Sequence, residues 1–155
     1  MKFNTEGERI LYGRWNDAQD LRRDFLYMGD EVTGDLRGNF ATEGEGNRVF
    51  NIYKEGRVVS RPLIQSPTGK NPNVGVILPG AYAFQRKNDS IETLTVLEGE
   101  LEASVNDGPA SRLNRDGAIV APAGTTLNLT VREGWAPCFY ICRFTPIKAQ
   151  AGATG

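Results

Sequence analysis

The chain has 155 residues, 39% hydrophobic and 24% charged, which is enough for one domain with its own core and too little for two comfortable ones. Net charge is −1, with 18 lysines and arginines against 19 acids, so no broad face attracts nucleic acid or an anionic membrane. No run approaches the ~20 apolar residues that cross a bilayer, and the polar start Met1-Lys2-Phe3-Asn4-Thr5-Glu6 has no apolar signal region, so the expected location is the cytoplasm.

The first 48 residues hold 7 basic and 10 acidic side chains and contain one amphipathic pattern. Asn16 can cap a helix, Gln19 completes a capping box, and Leu21, Phe25 and Met28 recur at helical spacing before Gly29. This predicts a short helix over about 17–28 whose apolar stripe must lie on the chain's own core or on a neighbour, which makes a homo-oligomer the expected state. Glycines at 29, 34, 38, 44 and 46 among polar residues then read as an extended arm that reaches residue 48.

From Val49 the texture changes to short β-rich runs. They are Val49–Tyr53, Arg57–Ile64, Val74–Leu78, Tyr82–Arg86, Ile91–Leu97, Leu101–Val105, Ala118–Ala121, Leu127–Arg132 and Cys138–Phe144. Turn residues punctuate them, among them Pro79-Gly80, Glu98-Gly99, Asp116-Gly117 and Glu133-Gly134. The pattern predicts an all-β fold over 49–146, a sandwich or barrel, followed by a small-residue tail at 147–155. Cys138 and Cys142 lie in one strand, roughly 13 Å apart if fully extended, too far for a mutual disulfide, and are expected as core thiols.

The chain has no histidine, which excludes Ser-His-Asp and Cys-His nucleophilic systems and a histidine-based metal centre. The absence is informative because of a spacing. Gly80, Arg86, Asn88, Glu92 and Gly99 follow the first motif of the cupin barrels, G-x5-H-x-H-x3-E-x6-G, with arginine and asparagine where two metal-binding histidines would stand. The second motif survives as Gly117, Pro122 and Gly124, one residue short between the first two, with Leu127 at the usual histidine position.

A nearer resemblance lies in Val74–Phe84, in Glu92-Thr93-Leu94-Thr95-Val96-Leu97-Glu98-Gly99 and in Tyr140-Ile141-Cys142-Arg143-Phe144, together with Ser66-Pro67-Thr68-Gly69-Lys70. These stretches look like the small metal-free cupins of the pyrimidine/purine nucleoside phosphorylase family. The resemblance covers about residues 49–146 and leaves 1–48 without a counterpart. It implies a cupin-type, jelly-roll-like β-barrel with no metal and no cofactor. The implied activity is that of a pentosyltransferase, a glycosyltransferase that takes a purine or pyrimidine nucleoside and inorganic phosphate to free base and ribose 1-phosphate.

Phosphorolysis passes through an oxocarbenium-like sugar, so such a site holds a phosphate dianion and steadies the departing base. Forked donors suit the phosphate, which points to Arg143 and Arg86, with Glu92 and Arg143 as the catalytic pair in one polar cavity. Glu92 is the acid that the motif spacing turns inward, able to accept from ribose hydroxyls. Tyr82, Asn88 and Asn128 are the candidates for the nucleoside. Ala81, Ala83 and Asn128 depart from residues common in the family, two acids and a histidine or aspartate. Those departures and the arm support an alternative, a non-catalytic assembly protein such as a virion decoration or cement subunit.

Overall fold

The computed structural model describes residues 3–14, 50–62 and 72–147. The predicted helix over 17–28, the glycine-rich stretch 29–48, the segment 66–70 and the tail beyond 147 lie outside the described residues. The chain divides into two compact units, Met1–Leu78 and Pro79–Gly155.

The first unit holds helix α1 (Glu6–Arg14) and strands β1 (Asn51–Tyr53), β2 (Val58–Pro62) and β3 (Asn73–Ile77). The helix starts where its sequence allows: the Glu8 amide donates to Thr5 Oγ1 at 3.3 Å, and the Thr5 hydroxyl donates to Glu8 Oε1 at 2.8 Å. Thr5 and Glu8 thus have capping-box spacing, and α1 is an element that the sequence analysis did not include. Leu11 on α1 and Val59, Val74, Val76 and Ile77 on the strands are fully buried. Strand β2 pairs antiparallel with β1 on one side and β3 on the other, Val59 facing Ile52 and Val76.

The second unit consists of β4 (Gly80–Gln85), β5 (Ser90–Glu98), β6 (Leu101–Val105), β7 (Ser111–Leu113), β8 (Ala118–Ala121), β9 (Thr126–Val131) and β10 (Cys138–Pro146). The described residues therefore contain ten strands; the one missing from the sequence reading is β7, whose Ser-Arg-Leu has no apolar run to reveal it. Within the unit, β5 lies antiparallel between β10 and β8, and a second sheet runs in the order β4-β9-β6-β7.

Period-two alternation sorts the side chains. On β9, Leu127, Leu129 and Val131 are buried, while Thr126, Asn128 and Thr130 are only partly so. Leu101 and Ala103 on β6, and Leu94, Val96 and Tyr140 on β5 and β10, complete the buried set. Each fully buried aliphatic side chain contributes at most about 1.5–3 kcal/mol, and these rows are what hold the unit together.

Two glycines of the spacing motif have a steric reason. Gly99, at φ 91°, turns the chain from β5 into β6 of the other sheet, and a Cβ there would sit 3.0 Å from the Pro137 carbonyl oxygen. Gly124, at φ 77°, packs under the loop after β4; a Cβ would lie 2.8 Å from Asn88 Oδ1, and its amide donates to the Lys87 carbonyl at 3.0 Å.

Candidate functional site

The strands bring Glu92 and Arg86 together. Arg86 follows β4, whose alternation carries Tyr82 and Phe84 on the side of Leu129 and Leu127. The Arg86 amide donates to the Thr125 carbonyl at 2.8 Å, which anchors the start of the loop. From there the guanidinium lies 5.9 Å from the Phe84 ring centroid, and its Nη1 pairs with Glu92 Oε1. The pair is largely withdrawn from water, with side-chain exposures of 22% for Arg86 and 6% for Glu92.

A third group completes the cluster. Glu92 is paired across the sheet with Phe144, and Leu94 with Cys142, so Glu92 and Cys142 share one face as diagonal neighbours. Cys142 Sγ donates to Glu92 Oε2 at 2.7 Å. Burial pushes this thiol up to about 12, against smaller downward contributions from Arg86 and Arg143, so near neutrality it is a proton donor and not a thiolate. Both carboxylate oxygens of Glu92 are thereby engaged, one by a cation and one by a thiol. On the arginine, Nη1 is occupied while the buried Nε–H has no hydrogen-bond partner.

The same register separates Arg143 from the cluster. Arg143 pairs with Thr93, so the two residues point away from the face that carries Glu92 and Cys142. Consecutive strand residues alternate, so on β10 it is Cys142 that shares the face of Glu92, while Arg143 beside it acts on the thiol only through its charge. Cys142 is the member of the site that sequence reasoning missed. Its signal was that parity: one of two neighbouring residues in a strand faces inward, and the arginine was preferred over the cysteine.

The three nucleoside candidates also divide. Tyr82 is half-buried on the inner side of β4, and its hydroxyl donates to the Pro79 carbonyl at 3.0 Å. Asn128 pairs with Ala83, on the opposite side of β9 from Leu127 and Leu129. Its amide donates to the Asn106 carbonyl at 2.9 Å and to Ser104 Oγ at 3.3 Å, which secures the edge of β6. Asn88 is exposed on the loop that leads from Arg86 to β5.

The donor set does not suit a metal ion. The two positions used for histidine in the cupin motif carry a guanidinium and an exposed amide, leaving Glu92 and Cys142 as the ligand-type groups of the cluster among the described residues, and a cation there would meet the charge of Arg86. Among the described residues no group of three or more His, Cys, Asp or Glu is placed to hold an ion.

Paired antiparallel sheets joined by the glycine corners of this motif define a cupin-fold protein. The fold matches the cupin domain of a Schizosaccharomyces pombe protein with a TM-score of 0.52 at 15% identity, over 66% of this chain and 68% of that one. A Vibrio parahaemolyticus protein of unknown function is also similar, with a TM-score of 0.52 at 25% identity, over 61% of this chain and 95% of that one. Within the class, residues 48–144 match the family model described as pyrimidine/purine nucleoside phosphorylase, and the chain belongs to that family. A relative from Citrifermentans bemidjiense that bears the family's name is 34% identical over 95 residues, which are 61% of this chain and 86% of the relative.

Proposed function

We propose that this chain is a metal-independent nucleoside phosphorylase that converts a purine or pyrimidine nucleoside and inorganic phosphate to free base and ribose 1-phosphate. Family membership supports the reaction class. The observation that carries the assignment to this site is the Arg86 guanidinium, nearly buried, tied to Glu92 through Nη1 and with its Nε–H unpartnered. The Nε and Nη2 donors form the second edge of the fork, the geometry that two oxygens of one phosphate fill.

In the reaction a phosphate oxygen forms a bond to C1′ as the bond from C1′ to the base nitrogen breaks. The C–N electron pair leaves with the base, which takes up the proton that hydrogen phosphate gives up as its oxygen bonds to C1′. Arg86 holds the nucleophile and offsets its charge, while Glu92 faces the developing positive charge of the sugar. Tyr82 offers a ring for the base, and Asn88 an amide at the loop. In this reading Arg86, not Arg143, is the phosphate ligand, and Asn128 braces β6 through Ser104 and Asn106. On the same reading the protein works in the cytoplasm as a homo-oligomer; the expected arm over 1–48 does not hold for its first part, because α1 packs in the first unit with Leu11 fully buried. No helix among the described residues is long and apolar enough to cross a membrane.

Incubation of the purified protein with uridine or inosine and phosphate gives free base and ribose 1-phosphate, measured by chromatography, and Arg86→Ala abolishes the phosphate-dependent product. Absence of turnover with every common nucleoside would overturn the assignment. One observation favours a second reading, a non-catalytic assembly role: both oxygens of Glu92 are already engaged within the chain. That reading requires particle or oligomer formation to fail when residues 1–48 are removed.

A further inference from the structure

The cluster contains a group that phosphate binding and sugar stabilisation do not use. We propose that Cys142 is a positioning residue: it locks Glu92 so that Arg86 is held by one edge and presents the other to a substrate oxyanion. This rests on Arg86 as the phosphate ligand and adds the question of what keeps its guanidinium aimed.

A single contact between Glu92 and Arg86 leaves the carboxylate free to rotate about its last torsion and to drag the guanidinium with it. A second contact on Oε2 removes that freedom, and the thiol of Cys142 supplies it at 2.7 Å. The residues directly opposite Glu92 are Phe144 on β10 and Ala121 on β8, neither with a side-chain donor, and among the described residues the groups that contact the carboxylate are Arg86 and Cys142. With Oε1 ion-paired to Nη1 and Oε2 hydrogen-bonded to the thiol, Arg86 retains an unpartnered, buried Nε–H. A thiol suits the task because it packs as a small apolar group beside Leu94 yet keeps a weak donor. It keeps that donor near neutrality because burial holds the proton on sulfur.

The chain carries its own reference. Cys138 is also buried and not in a disulfide, and its Sγ donates, at a long 3.8 Å, to the neutral Phe139 carbonyl. The S–H stretch falls in a part of the infrared spectrum clear of other protein bands, and donation to a carboxylate lowers its frequency. The wild-type protein shows two resolved bands. Cys142→Ala removes the lower one, Glu92→Gln moves it up, and Cys138→Ala leaves it in place. Inorganic phosphate binding, titrated calorimetrically, weakens about tenfold in Cys142→Ala, the scale of one lost charge-assisted hydrogen bond, and Cys142→Ser restores most of it.

Coincident S–H bands in the wild type, or a lower band that survives in Cys142→Ala, would sink the proposal. So would phosphate affinity unchanged in Cys142→Ala, or no phosphate binding by the wild type. Phosphate binding that depends on Cys142 without turnover of any nucleoside leaves the positioning role standing and removes the phosphorylase assignment, so the two fail separately.

Discussion

Two arginine–glutamate arrangements occupy the second half of the chain, one on its surface and one inside. On the surface, Arg112 meets Glu100 at 2.6 Å and Arg132 meets Glu102 at 2.5 Å, and both guanidinium groups lie against Trp135, 4.8 and 5.5 Å from its ring centroid. Water reaches these pairs, with both arginine side chains more than half exposed. Inside, Glu92 is buried and Arg86 largely so, and their third partner is a thiol in place of a solvated aromatic ring. The contrast separates two uses of the same residue types. Exposed pairs contribute about 0–1 kcal/mol each and brace a hairpin, whereas a buried pair adds little net stability against an apolar replacement but is costly to break.

That contrast is sharpest when one partner is removed. Glu92→Ala leaves a desolvated guanidinium and lowers unfolding stability in urea by about 3–5 kcal/mol. The double replacement of Arg86 and Glu92 by Met removes both charges and recovers the wild-type midpoint or exceeds it, by up to about 1–4 kcal/mol, while phosphate binding is lost. If Glu92→Ala proved as mild as Glu100→Ala, the distinction between interior and surface would collapse.

Packing comes next in size. Leu129→Ala on the inner row of β9 costs about 2–4 kcal/mol, because the cavity cannot close fully between two sheets. Thr130→Ala, one residue along on the other side, changes the urea midpoint far less.

The thiols supply a pH test. Cys138 and Cys142 are both pushed up by burial to about 12 from an ordinary 9.0, so their contribution to stability is fully present below pH 9. Between pH 9 and 12 the unfolded chain loses these protons and the folded chain keeps them, so stability falls as pH rises, by roughly 1 kcal/mol per pH unit per thiol. Denaturation followed from pH 8 to 11 shows this slope, and Cys138→Ala reduces it.

The smallest effect belongs to the surface. Glu100→Gln costs about 0.2–1 kcal/mol at low salt and less at high salt, as measured by thermal unfolding.

Sequence determined the architecture because barrels announce themselves locally. Turn glycines, short β-rich runs and the spacing from Gly80 to Gly99 are all contained in short windows, and Arg86 and Glu92 meet across a single loop, which makes their pairing readable. Even there the local signals were incomplete: the capping pair Thr5 and Glu8 marks α1 without a strong apolar stripe behind it, and the three-residue β7 has no apolar pattern. Only tertiary structure decided which side chains share the interior. Cys142 reaches Glu92 across 50 residues of chain, and whether Cys142 or Arg143 faces inward depends on the register between β5 and β10. A shift of one residue in that register exchanges the two, and local composition does not set it.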